Sequence, residues 1–60
     1  MGDILSEVQR WRAKADELRA TAEMLTNAVA QDALLEMADR YDRLADHMED
    51  LAAAKLARAR

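Results

Sequence analysis

The 60-residue chain has no cysteine, no proline and no phenylalanine, and its single glycine is Gly2. Each absence closes off a class of protein. Without cysteine there is no disulfide to staple a small fold, and the usual structural zinc sites are excluded as well. One histidine, His47, cannot assemble a metal site by itself; with Asp46 and Asp50 it could hold a metal only adventitiously across a dimer, and pairing with an acid is its ordinary role. A single glycine excludes a glycine-rich phosphate loop. Trp11 and Tyr41 are the only aromatics, too few for a β-sandwich core or a base-stacking surface. No apolar run approaches the ~20 residues of a membrane span, and none resembles a signal peptide. The expectation is a cytoplasmic protein that does not engage a membrane. A net charge of −3 sets it against nucleic acid, whose phosphates would repel it.

What remains is a chain of good helix formers, dominated by Ala, Leu, Glu, Asp, Arg and Met. Ile4, Val8, Trp11, Ala15, Leu18, Ala22 and Leu25 follow one another at steps of four and three, an unbroken heptad seam. Asp3 is placed to cap this helix, and Ser6 with Gln9 offers a second capping box one turn later. The second half carries two adjacent seams. One runs through Leu34, Met37, Tyr41, Leu44, Met48 and Leu51; the other runs through Leu34, Ala38, Tyr41, Ala45, Met48 and Ala52. Together they form a stripe wider than one partner helix can cover. Glu36 to Arg40 and Asp39 to Arg43 are acid-to-base pairs four apart, each stabilising a helix by a few tenths of a kcal/mol. Lys55, Arg58 and Arg60 place positive charge where the dipole of a C-terminal helix favours it.

Between the seams lies TNAVAQD, residues 26–32, with neither glycine nor proline. Carrying the first heptad through it would put Asp32 in the core, and Thr26 and Asn27 are both favoured N-caps. A 60-residue rod would also be about 90 Å long and need a partner along its whole length. The expected fold is therefore all-α, a single domain over 1–60. It comprises a helix over about 3–26, a turn near 26–28 with Asn27 as the cap, and a second helix over about 28–57. Two such antiparallel hairpins would pair into a four-helix bundle. The alternative is one long helix in a coiled coil or a domain-swapped dimer.

The residues Trp11, Arg12, Ala15, Leu18, Arg19 and Ala22, followed by Leu34, Leu35, Met37, Ala38, Tyr41, Leu44 and Ala45, carry a pattern. The chain resembles a group of short helical-hairpin proteins of soil-dwelling alphaproteobacteria. The resemblance covers residues 11–45 and implies a hairpin; it implies no activity. Where the group tends to have Asp-Pro, this chain has Asn27-Ala28, and Gln31 stands where the group tends to have Arg.

Chemistry has little to stand on. Ser6 lies far in sequence from His47, and the residue three before His47 is Leu44 rather than the Glu of a di-iron bundle motif. No catalytic residue, metal ligand or cofactor is expected. The expected function is that of a self-associating module, a homodimer first of all, with a structural or scaffolding role. Its association core would be Val8, Trp11, Ala15, Leu18, Leu25, Leu34, Met37, Ala38, Tyr41, Leu44, Ala45, Met48 and Leu51. Arg12 and Arg19 lie one residue past seam positions and would pair with Asp39 or Asp42 of the second helix. The alternative is a small regulator presenting a helical face or groove to another protein.

Overall fold

The computed structural model describes residues 3–59. It contains two helices, α1 (Ile4–Glu23) and α2 (Ala28–Arg58), packed against each other as an antiparallel hairpin. The hairpin measures 51 × 18 × 12 Å, the length expected of a 31-residue helix at about 1.5 Å per residue. No described helix is long and apolar enough to cross a membrane.

Asp3 starts α1 as the sequence suggests. Its backbone is extended, its side chain accepts from the Leu5 N–H at 3.1 Å, and its carbonyl accepts from the Glu7 N–H at 3.1 Å. Ser6 lies within the helix and is exposed, so the second capping box one turn later has no helix end to cap.

The TNAVAQD stretch does turn, although α1 stops at Glu23, three residues earlier than 26. The last turn tightens: the N–H of Met24 donates to the Thr21 carbonyl and that of Leu25 to the Ala22 carbonyl, both at 3.1 Å. The four-residue link ends at Asn27, whose extended backbone lets its side chain accept from the Ala30 N–H at 3.0 Å while its carbonyl accepts from Gln31 at 2.9 Å. From the first turn of α2, the Gln31 side chain reaches back to donate to the Ala22 carbonyl at 2.9 Å, a second bond to the acceptor that Leu25 already uses, tying the end of α1 to the start of α2. No described residue has a positive φ. The absence of glycine is thereby explained, since this turn never enters the left-handed region that favours it.

The helices meet along two rows of small residues. Val8, Ala15 and Ala22 of α1 and Ala38 and Ala45 of α2 are buried, with Ala15, Ala38 and Ala45 at 0% exposure. Residues seven apart stay on one face of a helix in such a pair, so alanine here lets the backbones approach closely. The larger seam residues Trp11, Leu18, Leu25, Leu34, Tyr41 and Met48 flank these rows and are half-buried. Trp11 and Tyr41 stack with ring centroids 5.2 Å apart and planes 20° from parallel.

Met37, Leu44 and Leu51 lie outside the α1–α2 interface at 41%, 39% and 55% exposure. Of the two seams on α2, the alanine-bearing one faces α1, because only small side chains fit where the helices come closest.

Two substitutions test this account by thermal or chemical unfolding. Ala45→Leu should destabilise by about 1–3 kcal/mol through overpacking. Ala28→Pro should stabilise by about 0.4–1 kcal/mol, because the first helical position suits proline and the extended backbone of Asn27 suits the residue before it.

Candidate interaction face

With the alanine rows facing inward, the hairpin has two long flanks of opposite character. One is ionic. Arg12 donates to Asp46 at 2.9 Å and also to Glu49, and Arg19 donates to Asp42 with Asp16 at 3.5 Å on its own helix. These contacts hold both guanidinium groups above the ordinary arginine range. For Arg12 the leading cause is the hydrogen bond to Glu49, then that to Asp46; for Arg19 it is the hydrogen bond to Asp42. Desolvation opposes the shift at both. A raised value means that, while the partner carboxylates are ionised, the arginines lose their stabilisation on the alkaline side only as pH rises through the folded-state value.

Of the two acids expected to receive the arginines, Asp42 does so, while Asp39 pairs along its own helix with Arg43 at 2.9 Å. Glu36 and Arg40 do not form the corresponding pair within 4.0 Å. Arg12 finds Asp46 and Glu49, which were not anticipated. The signal was present: Arg12 lies seven residues before Arg19, and in an antiparallel pair its mate lies seven residues after Asp42, at Glu49.

The other flank is apolar at its centre. Beside the stacked rings is an open cleft of ≈ 260 Å³ lined by Glu7, Arg10, Trp11, Lys14 and Tyr41. Tyr41 also borders a second depression with Met37, Arg40 and Leu44. Toward the open end of the hairpin, Leu51 lies beside Ile4, Ala54, Lys55 and Arg58. Met37, Leu44 and Leu51 thus form an exposed apolar row along α2 at heptad spacing, with Arg40 beside the first two and Lys55 and Arg58 beside the last.

Of the association core expected from the sequence, Val8, Ala15, Ala38 and Ala45 are buried within the hairpin. Trp11, Leu18, Leu25, Leu34, Tyr41 and Met48 are half-covered, and Met37, Leu44 and Leu51 face outward. His47 is exposed and pairs with no acid among the described residues. No group of three His, Cys, Asp or Glu among the described residues could hold a metal ion.

The chain matches no family model, no curated protein and no solved structure. The geometry therefore carries the functional argument.

Because the arginines and their acids are only partly covered, the ionic flank should set register more than stability. A double-mutant cycle on Arg12→Ala and Glu49→Ala, read by urea unfolding, is expected to give a coupling under about 1 kcal/mol that shrinks with added salt.

Proposed function

We propose that this chain is a non-enzymatic, self-associating helical hairpin that completes its core by pairing with a second copy, forming a four-helix bundle with a structural or scaffolding role. One observation carries the reading. Among the described residues, those buried within a single chain are a valine and four alanines, and none of the larger side chains is fully buried. Apolar burial stabilises by roughly 25 cal/mol per Å² removed from water, and alanine has little area to remove. A 60-residue chain has a thin core even when its large residues are inside. Here Trp11, Leu18, Tyr41 and Met48 are half outside, and Leu44 is exposed. Association covers them and supplies the missing burial.

The reading needs no catalytic group, cofactor or metal. Work in the cytoplasm suits a chain with no disulfide to form. Membership of the alphaproteobacterial hairpin group fits the fold: its Asp-Pro would stand at Asn27 and Ala28, the N-cap and first helical position of α2.

The test is mass by light scattering across a concentration series, joined to thermal melts at the same concentrations. A dimer mass, with a melting temperature that rises with protein concentration, is the expected result. A monomer with a sharp, concentration-independent melt would overturn the reading. A monomer that melts broadly would shift it to a regulator whose helical face awaits a different protein.

A further inference from the structure

We infer that the second copy docks on the outward row of α2, Met37–Leu44–Leu51, and that the two α2 helices cross antiparallel about a two-fold axis at Leu44. This rests on the proposed self-association and assigns it a surface and a symmetry.

Three features of the row point to a second copy. First, Met37 and Leu51 lie seven residues to either side of Leu44, all three exposed on one face. Turned end for end about Leu44, the row superposes on itself: Leu44 meets Leu44, and Met37 meets the second copy's Leu51. A two-fold interface requires this self-complementarity, in which residue i contacts j and j contacts i. Second, the charges agree with the antiparallel sense. Arg40 is exposed and has no ion pair among the described residues. Antiparallel pairing sets Arg40 level with the second copy's Met48, an uncharged neighbour. Parallel pairing in register would set Arg40 against Arg40, a like-charge contact that costs stability. Third, the area suffices. The roughly 800 Å² per partner of a standard interface is about a sixth of the 4955 Å² of accessible surface.

The opposite flank is a poorer surface. Its arginines and acids are already paired with one another within the chain, and docking there would desolvate those pairs.

The absence of cysteine makes a clean test possible on the full chain. Single variants Met37→Cys, Leu44→Cys and Leu51→Cys are oxidised mildly, alone and as a Met37→Cys/Leu51→Cys mixture. Met24→Cys, in the turn, gives the collisional background. The expected result is a disulfide-linked dimer from Leu44→Cys alone and from the mixture. Met37→Cys alone should stay at background, because in the antiparallel pair its two copies lie about 21 Å apart along the axis, beyond the reach of a disulfide. Efficient linking of Met37→Cys alone would show a parallel pairing and overturn the assigned symmetry. A dimer mass by light scattering with no linking at any of the three positions would overturn the surface and leave self-association standing. A monomer mass would overturn both.

Discussion

Alanine against alanine is the contact on which the rest of this hairpin depends. Ala15 and Ala22 on α1 and Ala38 and Ala45 on α2 are the most completely buried side chains of the interface, and a side chain of one carbon lets two backbones come near. Once those rows face each other, the rotation of both helices is fixed. Trp11 then reaches Tyr41 on one flank, and Arg12 and Arg19 reach their acids on the other. The same rotation turns Met37, Leu44 and Leu51 outward. A larger side chain in either row would force the helices apart and loosen all of these contacts together.

The two flanks differ in energetic weight. Exposed ion pairs contribute under about 1 kcal/mol each, less in salt. Covering a leucine contributes about 1.5–3 kcal/mol. The ionic flank therefore fixes which residues lie side by side, and the apolar flank holds the larger unspent free energy. The stacked Trp11–Tyr41 pair stands on the apolar side and extends the surface open to association.

The turn shows how a helix can end without a breaker. Proline or glycine would have forced it; here polar side chains persuade it. Asn27 offers an acceptor to the new helix, and Gln31 offers a donor to the old one. Asn27 was legible as a cap because asparagine is a weak helix interior and a strong N-cap. Gln31 was not, since glutamine is content inside a helix and its role appears only when Ala22 lies beside it. The end of α1 was misplaced for a related reason: Met24 and Leu25 continue the apolar pattern, and only the tightened last turn takes them out of the helix.

Local chemistry is what the sequence by itself determined: two helices, their caps, the amphipathic seam of each and the presence of a turn between them. Those follow from period, propensity and short-range hydrogen bonding, all of which act between neighbours in the chain. The choice between the two seams of α2 belonged to tertiary structure. Both are apolar at helical spacing, and nothing within α2 distinguishes a row that packs on α1 from one that faces away. The alanines of α1 decide it, because the size of a side chain matters to packing only when a second surface limits the space.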